Sequence, residues 1–270
     1  MQRIKLRKRR GRLWPINQKP IVIAHRGGGN EEPENSLDAF AHMSSKGFRF
    51  METDAHSTSD GVAVLFHDSV LDRTTDGTGP IGAHTWAQIQ QVKDGSGNSP
   101  LRLDSALMAF PDLVFNIDAK SWTVVEPLAR TLLAAGATDH VSLASFSERR
   151  LRVMRKALPG LRSSLGTGAI AGLVALSHLP MPLAKLLVRL VPGPKQNVEA
   201  AQVPMRWNRV DVVTNKFVKL CHSRGLSVHV WTINSAKEMK QLLAMRVDGI
   251  ITDEPTLAQS VIDDYWAGLR

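Results

Sequence analysis

Titratable side chains stand at the ends of three short apolar runs in this sequence. The groups are His25 and Arg26 after the run 21–24, Glu52 and Asp54 after the run 50–51, and Asp118 and Lys120 after the run 114–117. Parallel strands bring their carboxyl ends to one edge of a sheet, where ligands bind. If the three runs are such strands, these groups meet there. The pattern therefore predicts one site that several strands assemble.

The acidic members of this set are suited to a metal ion. Glu52, Asp54 and Asp118 offer three carboxylates, which are the ligands that hard divalent cations such as Mg²⁺ or Ca²⁺ prefer. Glu52 and Asp54 are two positions apart, so a strand directs both to the same side. The sequence has no Cys/His cluster of the kind that binds zinc.

The basic members and the histidines indicate a phosphate ester as substrate. Arg26 and Lys120 can bind an anion beside the metal, and phosphate suits that arrangement best. His67 ends a second extended run, 61–67, so it can join His25 as a general acid and general base pair. A metal, two cations and two histidines around one phosphate predict metal-assisted cleavage of a phosphodiester. Trp231 also ends an apolar run; it either stacks on substrate carbon or fills the top of the core.

Strands and helices must alternate to place these groups. Apolar runs predict eight strands, at 21–24, 50–54, 113–118, 141–144, 162–166, 198–203, 226–231 and 249–252. Helical spacing lies between them, notably at 123–135, 147–157, 214–224 and 235–244. Eight strands with crossover helices predict an α/β fold, the TIM (β/α)8 barrel, with its chemistry at the carboxyl ends of the strands. The polar, glycine-rich stretch 69–112 fits none of the strands, so we expect a small insertion after the second strand, with short helices at 85–92 and 103–109.

Charge is distributed unevenly along the 270 residues. The net charge is +9, yet residues 1–30 and residues 149–198 each hold nine Lys or Arg and no Asp or Glu, so the remainder is acidic. Two basic patches on an acidic body are typical either of solvated faces or of surfaces for anionic membrane or nucleic acid. The single cysteine, Cys221, excludes an internal disulfide framework.

Two segments bear on membranes. Residues 1–20 form a basic tail without the apolar region of a secretory signal, so we expect a cytoplasmic protein. Residues 166–184 carry no charge, but prolines and polar residues interrupt them, which disfavours a spanning helix. The apolar basic segment about 166–191 ends with leucines on one helical face and Lys185 and Arg189 on another. That face either lies on an anionic bilayer, peripherally at the inner membrane face, or packs on the barrel.

At these residues the sequence resembles the glycerophosphodiester phosphodiesterase family, from about residue 21 to about 257. The matching motifs are His25-Arg26-Gly27 with 33–36, Glu52-Thr53-Asp54, His67-Asp68 with 71–75, 116–120, Ser145-Phe146, 230–234 and 248–253. Each motif alone is short, whereas their order and spacing together are specific.

The resemblance implies a TIM barrel over 21–270 with an insertion at about 69–110, acting in glycerol and lipid metabolism. It implies hydrolysis of a glycerophosphodiester to sn-glycerol 3-phosphate and an alcohol, with the glycerol 2-hydroxyl as the attacking group. By position, the acid/base pair is His25 and His67, the metal ligands are Glu52, Asp54 and Asp118, and the phosphate contacts are Arg26 and Lys120. Many members of the family have Glu at the position of Asp118, and the side chain of Glu is one methylene longer than that of Asp.

Two other functions remain to be weighed. The basic, apolar region 149–198 favours a related enzyme that cleaves lysophospholipids at a membrane, in a phospholipase D-type reaction. An active-site mouth lined by Leu and Val near Trp231 would support that function. A non-catalytic binder of anionic surfaces is the remote alternative, because it leaves the histidines and carboxylates unexplained. We expect no nucleic-acid partner, since aromatics do not alternate with the basic residues.

Overall fold

A computed structural model describes residues 11–268 of the chain. Its strands, in chain order, are β1 (Ile21–Ala24), β2 (Phe50–Ser57), β3 (Ala63–Leu65), β4 (Leu101–Arg102), β5 (Val114–Ala119), β6 (Val141–Ala144), β7 (Arg162–Ser164), β8 (Val198–Pro204), β9 (Arg206–Trp207), β10 (Val210–Asp211), β11 (Ser227–Trp231) and β12 (Gly249–Thr252). The helices are α1 (Leu37–Ser45), α2 (Trp86–Ile89), α3 (Leu103–Ala109), α4 (Val125–Ala134), α5 (Glu148–Ala157), α6 (Thr167–Ser177), α7 (Met181–Leu187), α8 (Asn215–Arg224), α9 (Ala236–Ala244) and α10 (Pro255–Ala267).

Eight parallel strands close into a barrel. The strand order is β1-β12-β11-β8-β7-β6-β5-β2, and a further pairing of β1 with β2 closes the ring. The predicted TIM barrel is confirmed, and each of the eight predicted strands is one of the eight strands of the barrel. The strands pair at every step with a parallel neighbour, which requires the crossover helices that the sequence spacing predicted.

Side-chain caps begin several of the helices that cover the barrel. The hydroxyl of Ser36 accepts from the backbone N–H of Ala39 at the start of α1, and Thr214 accepts from Phe217 at the start of α8. Each cap satisfies one backbone donor that the first helical turn leaves unpaired. Buried apolar side chains of helices and strands, such as Phe40, Leu128 and Leu242, fill the layer between helix ring and barrel.

The insertion after the second strand extends one edge of the barrel. Strand β3 pairs antiparallel with the end of β2, and β4 pairs antiparallel with β3, which is why β2 runs three residues beyond its predicted end, to Ser57. The short helices α2 and α3 lie within the ranges 85–92 and 103–109 that the sequence predicted. A small separate cluster that includes Val64, Leu71 and Ile89 stabilises the insertion. This support fixes the loop that carries His67.

The segment 166–191 folds as two helices that break at Leu179–Pro180. No helix among residues 11–268 is long and apolar enough to cross a membrane. Ala184 and Val188 face the barrel, while Leu183, Leu186 and Leu190 are exposed, the last to 84%. The side chains of these three leucines therefore do not pack on the barrel, which is the second of the two arrangements that the sequence left possible.

The predicted N-terminal tail is in part a plug for the barrel. Residues 1–10 lie outside the described residues. Trp14 is fully buried at the base, where its indole N–H donates to Ser142 Oγ at 3.2 Å and its ring meets His229 edge-on. The guanidinium of Arg12 donates to the backbone oxygens of Glu199 and Gly225. Residues 11–20 thus close the end of the barrel that the strands' own side chains leave open.

Replacing Trp14 with Ala should lower the free energy of unfolding by about 3–5 kcal/mol, because it leaves a large cavity and an unpaired Ser142 hydroxyl. Chemical denaturation followed by circular dichroism measures the change. The matched control is Trp207→Ala at a tryptophan that is 57% exposed, for which we expect a change of about 1 kcal/mol or less. Equal losses in the two variants would contradict the role of Trp14 as a plug.

Candidate active site

The strand register brings the predicted carboxylates together at the top of the barrel. In the β2–β5 pair, Asp54 lies opposite Asp118 and Glu52 lies opposite Asn116. Glu52 and Asp54 point to the same side because they are two residues apart on one strand. All three carboxylates are more than nine-tenths buried. Their shared position matches the site that the sequence predicted.

Lys120 compensates two of these negative charges. Its Nζ lies 2.7 Å from Asp54 Oδ1 and 2.8 Å from Asp118 Oδ2. Burial opposes the charged form of Lys120, but the charges of Asp118 and Asp54 outweigh burial and raise its pKa. On its other side Asp54 accepts from Asn35 Nδ2 at 3.3 Å and faces Arg26 Nε at 3.4 Å.

Glu52 has weaker partners: His25 Nε2 lies 3.8 Å from its Oε2, and the backbone N–H of Arg26 donates to the same oxygen at 3.4 Å. Burial and then the neighbouring charge of Asp54 raise the pKa of Glu52 to about 8. A strongly perturbed carboxyl at the end of a barrel strand is typical of a functional site. The excess of negative charge around Glu52 makes this position attractive to a cation.

The imidazole of His25 is held by a carboxylate. Its Nδ1 lies 2.6 Å from Asp253 Oδ1, and Asp253 also accepts from Asn234 Nδ2 at 2.8 Å. Since an ionised carboxylate only accepts, Nδ1 carries the proton and Nε2 is the nitrogen left for chemistry. Burial lowers the pKa of His25, but the hydrogen bond that His25 donates to Asp253 and the charge of Glu52 more than offset it, so the pKa is raised.

His67 is oriented in the same way, by its own neighbour. Its Nδ1 lies 2.6 Å from Asp68 Oδ1, and Asp68 accepts from Arg73 Nε at 2.5 Å. Arg73 then pairs with Glu34 at 2.6 Å, and Glu34 accepts from Arg26 Nη1 at 3.0 Å. A chain of alternating charges therefore runs from the insertion to the first strand and ties His67 to Arg26.

The loop after β1 has the backbone that this geometry needs. Arg26 adopts a left-handed conformation with φ of 53°, and Gly27 follows with φ of 83°. A Cβ on Gly27 would stand 2.8 Å from the Cβ of Ala39, so only glycine fits there. This tight turn against α1 directs both His25 and Arg26 into the site.

A cavity of about 530 Å³ opens above the strands and is lined by every residue that the sequence predicted for the site. These are His25, Arg26, Glu52, Asp54, His67, Asp118, Lys120 and Trp231. Polar groups form its floor, whereas a wall of apolar side chains from α6 and the segment after β8 forms one side, with Ile170, Val174, Trp207 and Val212. The cavity can thus take a substrate with one charged and one apolar end.

Residues that the sequence did not assign to the site complete it. Asp253, Asp68, Glu34 and Arg73 orient the predicted groups, and Asn116 and Gln202 line the floor. Asp253 follows an apolar strand directly, which is the same signal that identified Asp54 and Asp118. Asp68 is adjacent to a predicted catalytic residue. Nothing local distinguishes Gln202, whose role depends on a strand opposite it in the barrel.

The donor set suits a divalent cation in its chemistry. Asp118 Oδ1 is buried without a hydrogen-bond partner, although the other oxygen of that carboxylate meets Lys120. In geometry, no three His, Cys, Asp or Glu side chains within residues 11–268 are arranged so that they could hold a metal ion together. Lys120 lies between two of the carboxylates and supplies the positive charge there.

The sequence and the fold of this chain are similar to those of several known proteins. A family model described as the glycerophosphoryl diester phosphodiesterase family matches residues 25–257. A probable glycerophosphodiester phosphodiesterase 2 from Mycobacterium tuberculosis is 36% identical over 244 residues, which are 90% of each chain. A putative glycerophosphoryl diester phosphodiesterase structure from Silicibacter pomeroyi has a TM-score of 0.76 at 22% identity, covering 93% of this chain and 96% of that one. An Oleispira antarctica phosphodiesterase, solved with the product sn-glycerol-3-phosphate, has a TM-score of 0.73 at 23% identity, covering 90% and 97% of the two chains.

Replacing Asp253 with Asn should lower the pKa of His25, because it removes a charge that favours the imidazolium. The protonated form of His25 is then lost at lower pH, so the limb of the pH–rate profile that it controls moves to lower pH. We expect kcat/KM at neutral pH to fall roughly 10- to 100-fold. An NMR titration of the His25 ring together with the pH–rate profile measures both effects. The matched control is Asp263→Asn, at an exposed carboxylate on α10; an unmoved His25 pKa in Asp253→Asn would contradict the assignment.

Proposed function

This chain belongs to the glycerophosphodiester phosphodiesterase family and is a phosphoric diester hydrolase, and we propose that His25 and His67 are its acid and base when it releases sn-glycerol 3-phosphate. The observation that carries the proposal is the matched pair of imidazoles in one cavity, each with Nδ1 bound to its own carboxylate. Both rings therefore present Nε2 for proton transfer. Two histidines so prepared can serve the two ends of one displacement at phosphorus.

Each displacement needs one proton removed and one supplied. In the first displacement, one histidine accepts the proton of the glycerol 2-hydroxyl as its oxygen bonds to phosphorus, and the other gives a proton to the alcohol oxygen as its bond to phosphorus breaks. The product of this step is a cyclic phosphodiester. Water then opens the ring with the two histidines in exchanged roles, one taking a proton from water and one giving a proton to the 2-oxygen, which yields sn-glycerol 3-phosphate. Arg26 and Lys120 contact the phosphoryl oxygens and stabilise the charge that develops on them. Trp231 bounds the cavity on the side of the substrate carbon.

Glu52, Asp54 and Asp118 would hold the divalent cation, Mg²⁺ or Ca²⁺. The orphaned oxygen of Asp118 and the crowding of negative charge that raises the pKa of Glu52 support this assignment. When bound, such a cation polarises the phosphoryl oxygens and lowers the pKa of a hydroxyl beside it. Asp118 is one methylene shorter than the Glu that many members of the family have at this position.

Hydrolysis of glycerophosphocholine, measured as release of sn-glycerol 3-phosphate, tests the main proposal. We expect turnover with Mg²⁺ or Ca²⁺, loss with a chelator, and a decrease on the order of 10²–10⁴-fold in His25→Ala and in His67→Ala. The matched control is His178→Ala, at an exposed histidine between α6 and α7. Wild-type rates in either active-site variant would refute the acid/base assignment, and full activity in chelator would refute the metal assignment.

A specific observation favours a second candidate, cleavage of lysophospholipids. The wall formed by Ile170, Val174 and Trp207 lies in the same cavity as the phosphate-binding groups, so a hydrocarbon chain on the glycerol can lie against it. A 1-acyl lysophospholipid keeps the free hydroxyl next to its phosphate ester. Its cleavage would release the head-group alcohol and leave a lysophosphatidate.

Comparison of kcat/KM for lysophosphatidylcholine and glycerophosphocholine, with choline release as the common readout, tests the second candidate. Val174→Glu places a charge in the apolar wall. If a chain binds there, the ratio of lysolipid to soluble-diester activity should fall about tenfold or more. The matched control is Val153→Glu, at an exposed valine on α5 away from the cavity. A ratio that is unchanged in Val174→Glu would exclude the wall as an acyl subsite.

We also propose peripheral contact with an anionic membrane surface through the segment 166–191. The exposure of Leu183, Leu186 and Leu190 supports it, since residues 11–268 leave these side chains largely uncovered. Lys185 and Arg189 lie in the same segment and can reach lipid phosphates.

A further inference from the structure

The mouth of the barrel is divided into a polar and an apolar half. The polar half follows β1, β2, β12 and the insertion, together with Asp118 and Lys120 at the end of β5, and contains the histidines and carboxylates described above. The apolar half follows the successive strands β6, β7 and β8 and the loop after Lys120. Six hydrophobic side chains of this half are exposed to solvent, and they are Trp122, Phe146, Ala171, Ala175, Trp207 and Val210.

Helix α6 lies along the mouth rather than only beside the barrel. The residues that line the cavity from this helix are Thr167, Ile170, Ala171, Val174 and Ala175. This spacing of three, four, seven and eight is one complete helical face. Ala171 and Ala175 are exposed as well, so the apolar surface continues from the inside of the cavity to the outside without a polar boundary.

A miniature hairpin carries the most prominent group of this half. Trp207 on β9 pairs with Val210 on β10, and the turn residue Asn208 has φ of 53°. Arg206 Nε binds Asp211 Oδ1 at 2.6 Å across the same hairpin. Trp207 and Val210 are 57% and 50% exposed, although both line the cavity. The indole ring of Trp207 is therefore exposed to solvent at the end of the barrel that carries the cavity, and the hairpin pairing holds it in that position.

Phe146 and Trp122 extend the aromatic groups along the edge. Phe146 is 57% exposed and meets Trp231 edge-on, with 5.9 Å between ring centroids, which connects the outer edge to the inner cavity. The guanidinium groups of Arg149 and Arg150 each lie 5.6 Å from the centre of the Trp122 ring. A cation stacked on an exposed aromatic ring combines an apolar face with a positive charge.

Three arginines lie at this edge. Arg149 and Arg150 are the two that lie against the Trp122 ring, whereas Arg155 on the same helix is paired with Glu148. Arg209, at the tip of the hairpin, is exposed, while Arg206 is neutralised by Asp211. Amphipathic aromatic groups flanked by arginine are characteristic of protein surfaces at the headgroup level of a bilayer.

We infer that the apolar half of the mouth is a docking surface for an anionic phospholipid bilayer, which places the cavity opening against the lipid headgroups. This inference rests on the membrane contact that we propose above, which supplies the bilayer as the partner. It extends the contact surface from the α7 leucines to α6 and the hairpin. Positive charge draws the chain to anionic lipid, and burial of Trp207, Val210 and Phe146 holds it there. The α6 face then provides a continuous apolar path from the bilayer to the phosphate-binding floor.

Vesicle co-sedimentation of the full chain tests the docking surface. The vesicles contain phosphatidylcholine with phosphatidylglycerol, or phosphatidylcholine alone. The variants are Trp207→Ala/Val210→Ala for the hairpin and Phe146→Ala for the edge, with Leu186→Ala/Leu190→Ala for the α7 leucines. Leu133→Ala, at an exposed leucine on α4, is the matched control. Circular dichroism checks that each variant is folded, and glycerophosphocholine hydrolysis by wild type is measured separately without lipid.

We expect wild type to bind the anionic vesicles, to bind phosphatidylcholine more weakly, and to lose affinity as salt increases. The hairpin variant should bind about tenfold more weakly or worse, with a smaller loss for Phe146→Ala and none for Leu133→Ala. Absent binding by wild type, or hairpin-variant affinity within about threefold of wild type, would overturn the docking surface. Loss in the α7 variant alone would place the contact on the leucines instead. Hydrolysis without vesicle binding would overturn the docking surface and leave the catalytic proposal standing.

Discussion

The structure depends on the proximity of three carboxylates that the barrel buries side by side. Water would screen Glu52, Asp54 and Asp118 from each other, but in the interior their repulsion is strong and each needs a partner. Lys120 serves two of them, whereas burial and Asp54 leave Glu52 with a pKa of about 8. This crowding exists only in one register of β2 against β5, since a shift by one residue would turn Asp54 away from Asp118. The architecture of the whole barrel is what maintains that register.

The two halves of the mouth support each other physically. Charged groups on the polar half interact more strongly because the apolar half removes water from one side of the cavity. The apolar half in turn would offer no specificity by itself, because hydrocarbon contacts do not orient a phosphate. Their combination in one cavity gives the site a charged end and an apolar end. Such a division follows from the chain's topology, since successive staves of a barrel are spatial neighbours.

Local patterns were sufficient to predict the barrel and eight of the residues that line its cavity. Apolar runs that end in Asp54 or Asp118 carry their own signal, because the pattern and the functional group lie on the same strand. The partner of His25 could not be found in that way, since Asp253 is 228 residues away and only the closed ring brings β12 beside β1. The leucines of α7 show a related limit. Their spacing predicted a common face, but spacing does not state whether a face packs inward, and here Ala184 and Val188 take that position. The hairpin at 206–211 is too short for periodicity to reveal.

The plug at the base of the barrel has a consequence for synthesis. Arg12 binds Gly225, which lies 213 residues later in the chain, and Trp14 binds Ser142, which lies 128 residues later. During synthesis residues 12–14 therefore cannot complete these contacts until Gly225, just before β11, has been made. Contacts of such sequence separation form slowly, because they close very long loops. A nascent chain that has not reached β11 therefore keeps the indole ring of Trp14 exposed, whereas the folded protein buries it completely.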